Sequence, residues 1–210
     1  MQQITKKIKE KWDSLYKSDY YAYGTMPNIY FKSFLNKYNP TGKVLLPAEG
    51  EGRNGVYAAT FGLEVFAFDV SVEGKQKALK LAELHKVNIG YEIGDFLNME
   101  FDKCSFDVVA LIYAHFHPKI RSVYHRKILD LLKPNGWLVI EGFSKTNPNL
   151  TKQNPEIGSD NLNKFYSIND IKTDFPNFEI LELDEEIIEL DEGFYHKGRA
   201  SVIRYLGKKR

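Results

Sequence analysis

The sequence predicts an α/β chain: a doubly wound, mostly parallel sheet of seven strands, helices on both faces, and a C-terminal antiparallel hairpin. Three observations predict it. Strand-length apolar runs alternate with helical periodicity five times between residues 43 and 143. The first run leads into Gly50-Glu51-Gly52-Arg53-Asn54-Gly55, a literal G-x-G-x-x-G turn from strand to helix. Two later strand-like runs, 178–190 and 200–206, have no helix between them.

Each element has a local reason. Ile4, Ile8, Trp12, Leu15 and Tyr16 fall on one face of a helix over 4–16. Gly24 and Pro27 break the chain, and Asn28 caps a helix over 29–38 that stops at Asn39-Pro40-Thr41-Gly42. Strand 43–47 meets the glycine turn, and helix 53–61 ends at Gly62. Strand 64–69 follows, then Ser71 caps a helix to about Lys86. Strand 89–93 ends in Gly94-Asp95-Phe96. Apart from Asp107, Phe106 to Tyr113 is apolar, as a strand covered on both faces should be. A helix over 119–132, a turn at Lys133-Pro134-Asn135-Gly136 and a strand over 137–143 complete the alternation, which implies right-handed crossovers. Beyond a polar loop, 144–163, come a short helix (167–175) and the hairpin, joined by 191–199.

Composition narrows the function. With 210 residues, 43% hydrophobic and 27% charged, the chain reads as one globular domain. We divide it into an N-terminal helical cap (1–42), a cofactor-binding core (43–143) and a C-terminal helix and hairpin (144–210). A net charge of +1 does not suggest a nucleic-acid partner. The single cysteine, Cys104, allows neither a disulfide framework nor a cysteine zinc cluster. No secretory leader or membrane-length apolar run is evident, so a cytoplasmic location is expected. Aromatic residues make up 14%, with Tyr16, Tyr20, Tyr21, Tyr23 and Tyr30 clustered early. They are either core and surface scatter or a lid over a flat or cationic ligand.

In such a sheet the ligand sits at the carboxyl ends of the strands. The loops there are 48–54, 69–72 and 94–98, so Glu49, Gly50, Glu51, Gly52, Asn54, Asp69, Val70, Ser71, Asp95 and Phe96 are the candidate cofactor residues, with Tyr113 after the fourth strand. Asp69 is placed to take both ribose hydroxyls. Asp95 is a second acid that an NAD fingerprint does not use. An adenine held edge-on at the third strand would use it, through the exocyclic amine.

The series Val44 to Asn54, Val65 to Ser71, Gly94-Asp95-Phe96, Phe106 to Val109 and Leu132-Lys133-Pro134-Asn135-Gly136-Trp137 resembles the ordered motifs of class I S-adenosylmethionine-dependent methyltransferases. The resemblance covers about residues 43–143 and implies a Rossmann-like fold, with S-adenosylmethionine as cofactor and S-adenosylhomocysteine as product. Trp12-Asp13 with Tyr16, Tyr21-Ala22-Tyr23-Gly24, Pro27-Asn28 and the tail Tyr195 to Ala200 look like the tellurite-resistance-type and thiopurine-methyltransferase-like subgroup. There the N-terminal segment covers the cofactor, which would give Tyr16 and Tyr23 a cofactor-binding role. The chain departs from the family pattern at Leu46, where an acid is usual, and at Ala48, where glycine is usual. Glu49 is the residue available to replace the acid toward the methionine amino group. Ala48 needs negative φ or carries strain.

Methyl transfer needs alignment and exclusion of water, and a base only if the acceptor must lose a proton. Tyr113-Ala114-His115-Phe116-His117-Pro118 should face the methyl group, making His115, then His117, the candidate base or acceptor-positioning residue. Their spacing also suits two metal ligands, but sequence places no third, and we assign no metal. A surface histidine and a loop-bonding histidine would look the same. His196 with Arg199 either lines the acceptor pocket or sits in a solvated loop, and Glu141 and Phe143 are candidate wall residues. Asn/Asp-Pro-Pro-aromatic, the mark of amino-methylating DNA enzymes, is absent after the fourth strand. A small-molecule acceptor is therefore expected, with a monomer or weak homodimer. A protein or RNA methyltransferase and an NAD(P)-binding protein without methyltransferase activity are the rival readings.

Overall fold

The computed structural model describes residues 2–147 and 162–210. Its elements run α1 (Gln2–Tyr16), α2 (Ile29–Tyr38), β1 (Lys43–Pro47), α3 (Arg53–Thr60), β2 (Glu64–Asp69), α4 (Val72–Leu84), β3 (Gly90–Ile93), β4 (Phe106–Ile112), α5 (Pro118–Leu131), β5 (Leu132–Phe143), α6 (Ile168–Asp174), β6 (Phe178–Glu192) and β7 (His196–Lys209). The sheet order is β3-β2-β1-β4-β5-β7-β6. Strands β1 to β5 are parallel, and β7 is antiparallel to both β5 and β6.

Period-two alternation splits the core between two faces. Leu45, Val109, Leu111, Leu138 and Ile140 face α5 and α6. Val44, Leu46, Val108, Ala110 and Val139 face α2, α3 and α4. Leu46, where the family places an acid, is thus a buried core side chain, 1% exposed.

The expected caps form. Asn28 Oδ1 accepts the Phe31 N–H at 3.0 Å, and Ser71 Oγ accepts the Gly74 N–H at 3.0 Å. Ser167 and Asp170 make a reciprocal capping box on α6.

Most boundaries fall within a few residues of expectation, and two regions differ in kind. β5 begins at Leu132 rather than after the Pro134 turn. Leu132 pairs with Phe106, the chain bulges through 133–136 with Asn135 at φ 62°, and pairing resumes at Trp137 opposite Val108. A bulge keeps the ladder on both sides of a proline that cannot donate to it. The hairpin connection, expected over 191–199, is only Gly193 to Tyr195, and Glu192 pairs with His196. Cross-strand pairing continues through polar residues because the tip packs against the N-terminal segment. Most of the expected polar loop 144–163 lies outside the described residues. Among the described residues, no helix is long and apolar enough to cross a membrane.

Candidate cofactor crevice and acceptor site

β1 has β2 on one side and β4 on the other, so the two crossovers diverge there and leave a crevice beyond the carboxyl ends. Ala48, Gly50 and Gly52 all have positive φ (55°, 64° and 88°), which folds the chain back before α3 starts. Two of these positions need glycine for space. A Cβ on Gly52 would meet Ala78 Cβ at 2.5 Å, and one on Gly50 would meet the Tyr16 hydroxyl at 2.7 Å. Ala48 holds the left-handed conformation with a Cβ, a strained choice.

Asp69 closes the crevice floor. Its Oδ2 accepts the Gly50 N–H at 3.1 Å and its Oδ1 the Ser71 N–H at 3.0 Å. It is 7% exposed, and burial pushes its carboxyl up to about 6 despite these amide donors. Each oxygen keeps a second lone pair, the requirement for receiving two vicinal hydroxyls. The Tyr91 hydroxyl fixes the turn from below by donating to the Gly50 carbonyl at 2.6 Å.

The other candidates divide by direction. Glu49 turns back and caps α3: its Oε1 accepts the N–H groups of Asn54 (2.8 Å) and Gly55 (2.6 Å). Burial pushes its carboxyl up to about 7, against those two amides and Arg53. Glu51 holds the N-terminal segment, accepting from Ala22 N–H (2.7 Å) and Lys77 Nζ (2.7 Å). Asn54 Oδ1 receives the Asn28 N–H at 2.9 Å. Asp95 caps a 3₁₀ turn through Leu97 N–H at 3.0 Å and accepts from the Tyr124 hydroxyl. The Phe96 ring points into the core, stacked on Phe68 at 5.0 Å. Val70 is half-buried beside Ser71.

α1 lies across this turn. Asp13 Oδ1 reaches the start of α4, accepting from Ser71 Oγ (2.7 Å) and Val72 N–H (2.9 Å). The negative charge stands where a helix N-terminus favours it. Tyr16, 4% exposed and stacked on Trp12, covers Gly50.

Beyond β4 and β5 the crevice becomes aromatic and charged. Tyr113 (φ 52°) donates its hydroxyl to Glu141 Oε1 at 3.1 Å. Its ring lies 4.8 Å from Phe143 and 4.5 Å from His196. His115 accepts the Phe143 N–H on Nε2 at 3.2 Å and stacks on that ring. Its Nδ1 is sealed without a hydrogen-bond partner, and burial presses its basicity down to about 3. His117 instead caps α5, accepting the Lys119 N–H on Nδ1 at 3.3 Å. The two histidines therefore point to different neighbours, and no metal-binding group of three forms among the described residues.

Sequence reasoning missed the network that joins these parts. Glu192 accepts from Arg53 Nη2 (2.8 Å), Asn28 Nδ2 (3.2 Å) and lies 2.9 Å from His196 Nδ1. Asn28 Nδ2 also donates to Glu141 Oε1 (2.6 Å), and Arg204 Nε to Glu141 Oε2 (2.7 Å). Bonded partners such as Asn28 and Glu192 are 164 positions apart, so no spacing rule could join them.

An NAD-binding doubly wound sheet has the order 3-2-1-4-5-6, whereas here antiparallel β7 stands between β5 and β6. Residues 44–136 match the methyltransferase domain family model. The fold is that of class I S-adenosylmethionine-dependent methyltransferases. A sterol 24-C-methyltransferase of Kluyveromyces lactis is 37% identical over 99 residues, 42% of this chain and 26% of the relative. The chain thus spans about a quarter of that relative's length. The fold is also similar to that of solved structures, among them these two. One, described for the conversion of a disulfide bond into a thioacetal group during echinomycin biosynthesis, has TM-score 0.78 at 16% identity, covering 96% and 91% of the two chains. The other, an S-adenosylmethionine-dependent methyltransferase from Anabaena variabilis, has TM-score 0.72 at 15% identity, covering 99% and 95%. The donor set of this domain fits its cofactor: an acid at the end of β2 has acceptor capacity left beyond its two backbone amides.

Proposed function

We propose that the protein transfers a methyl group to a small, polar acceptor, with Asp69, the Glu49 to Gly52 turn, Ser71 and Asp95 holding S-adenosylmethionine. The observation that carries the reading is the Asp69–Gly50–Ser71 cradle beside the sheet's switch point. The cofactor supplies an activated methyl on a sulfonium, so the protein need only bind, align and exclude water. Tyr16 over the glycine turn and the tilted rings of Tyr113 and Phe143, 4.8 Å apart, supply that exclusion. Their π faces also suit a cationic sulfur.

Two features support a small acceptor over a protein or RNA. The hairpin tip closes on the N-terminal segment: Phe194 N–H donates to the Ala22 carbonyl at 2.9 Å, and the Tyr20 and Phe194 rings meet at 4.1 Å. The strand beside it is acidic, with Glu185, Glu186, Glu189 and Asp191, not a basic rim. Glu141, Glu192, Arg53 and Arg204 near the acceptor side favour a polar molecule over one like the sterol named for the fungal relative. The finer likeness to tellurite-resistance-type and thiopurine-methyltransferase-like enzymes rests on Trp12, Asp13 and Tyr16, whose side chains meet at the crevice. To test acceptor size, methyl-tritiated S-adenosylmethionine is incubated with the protein and a size-fractionated cell extract. Label should enter the low-mass fraction; label confined to protein or RNA would overturn this reading.

A further inference from the structure

We propose that His196, oriented by Glu192, is the base that accepts the acceptor's proton during methyl transfer. The inference rests on the methyltransferase reading and adds a residue to it.

The geometry separates His196 from the other histidines. His115 has Nε2 occupied by a backbone N–H and Nδ1 sealed, and His117 is a helix cap. His125 Nδ1 lies 2.7 Å from Asp174 and its Nε2 is sealed. His196 Nδ1 lies 2.9 Å from Glu192 Oε2, and no hydrogen bond from a described residue reaches its Nε2. Glu192 cannot swing away, because Arg53 Nη2 and Asn28 Nδ2 hold its two oxygens. Burial alone would raise the Glu192 carboxyl, but His196 and Arg53 outweigh it and hold it down at about 2. An ionised Glu192 accepts the Nδ1 proton and leaves the lone pair on Nε2, the arrangement by which a carboxylate orients a catalytic imidazole.

The surroundings suit a base. Burial lowers the basicity of His196 more than Glu192 raises it, so the ring is neutral near pH 7. The groups facing it are Arg53 from α3, Tyr113 after β4, Phe143 from β5, Glu192 from β6 and Tyr23 from the N-terminal segment, with His115 behind. Arg53 directly follows the glycine turn, so the pair stands one side chain from the cofactor crevice. A simple clip at the hairpin tip would use Nδ1 alone and give Nε2 no role.

In the step, the acceptor X–H gives its proton to His196 Nε2 while its lone pair bonds the methyl carbon. The carbon–sulfur bond breaks with its pair on sulfur, leaving S-adenosylhomocysteine. The imidazolium is stabilised by Glu192 and returns the proton to solvent.

The test has two arms on the full chain, with S-adenosylhomocysteine affinity measured alongside. Diethyl pyrocarbonate followed by mass spectrometry should acylate His196 and spare His115 and His125; a spared His196 overturns the proposal. Methyl transfer is then compared for 2-mercaptoethanol, which must lose a proton, and iodide, which has none. His196→Gln should lower thiol methylation about a hundredfold, at least tenfold more than it lowers iodide methylation, with Glu192→Gln in the same direction. Equal losses with both probes would mark a structural clip and overturn the proposal. Failure of the wild type to bind S-adenosylhomocysteine would instead sink the methyltransferase reading itself.

Discussion

The Gly50 N–H donates to Asp69 Oδ2 at 3.1 Å. This bond ties the turn after β1 to the end of β2 and fixes the two parts of the proposed cofactor site against each other. Asp69→Ala removes that tie and the oxygens proposed to take the ribose hydroxyls. Calorimetry should show S-adenosylhomocysteine binding weakened more than tenfold, about 1.4 kcal/mol or more. Unchanged affinity would mean that Asp69 does not hold the ribose.

Ala48 sits at φ 55° where glycine would be free of strain. Ala48→Gly should stabilise the fold by about 1 kcal/mol, the left-handed penalty less the extra chain entropy of glycine. Urea unfolding reads this directly. A loss of stability would show that the methyl makes a contact worth more than the strain.

Glu49 makes stability depend on pH. The unfolded residue releases its proton near 4.5 and the folded one at about 7. Between these values the unfolded state binds fewer protons, so stability falls as pH rises from about 4.5 to about 7. The full swing is about 3 kcal/mol at most. Glu49→Gln keeps an oxygen for Asn54 and Gly55 and should flatten the decline. Thermal melts across that window would contradict this if the two proteins lost stability in parallel.

Arg53 and Glu192 are each about 8% exposed and 2.8 Å apart. Removing one partner leaves a buried charge, so Arg53→Leu should cost about 3 kcal/mol. The double variant Arg53→Leu/Glu192→Leu should cost less than the sum of the singles, with coupling of about 1 kcal/mol or more. Additive losses in urea would show that the pair does not interact as drawn.

The fold was legible wherever local chemistry decides it. The bounds of α2, β1 and β2 follow from Asn28, the glycine turn and apolar runs, and match the structure residue for residue. The bulge at 133–136 was not legible, because Pro134 and Gly136 signal a turn whether or not pairing resumes on the same strand. The places of Asp69 at the end of β2 and Asp95 just beyond β3 were legible from the apolar runs that precede them. What Glu49 does was not: its choice between solvent and the start of α3 is settled by the burial of the whole turn. Nor could sequence reveal that Asn28, already a helix cap, also gives its amide to Glu141 and Glu192. That contact exists only once the hairpin has folded back.

The most direct test is calorimetry of the intact protein with S-adenosylhomocysteine and, separately, with NAD. Saturable one-to-one binding of S-adenosylhomocysteine and no response to NAD is the predicted result. NAD binding with no response to S-adenosylhomocysteine would contradict the reading of the Gly50–Asp69 crevice.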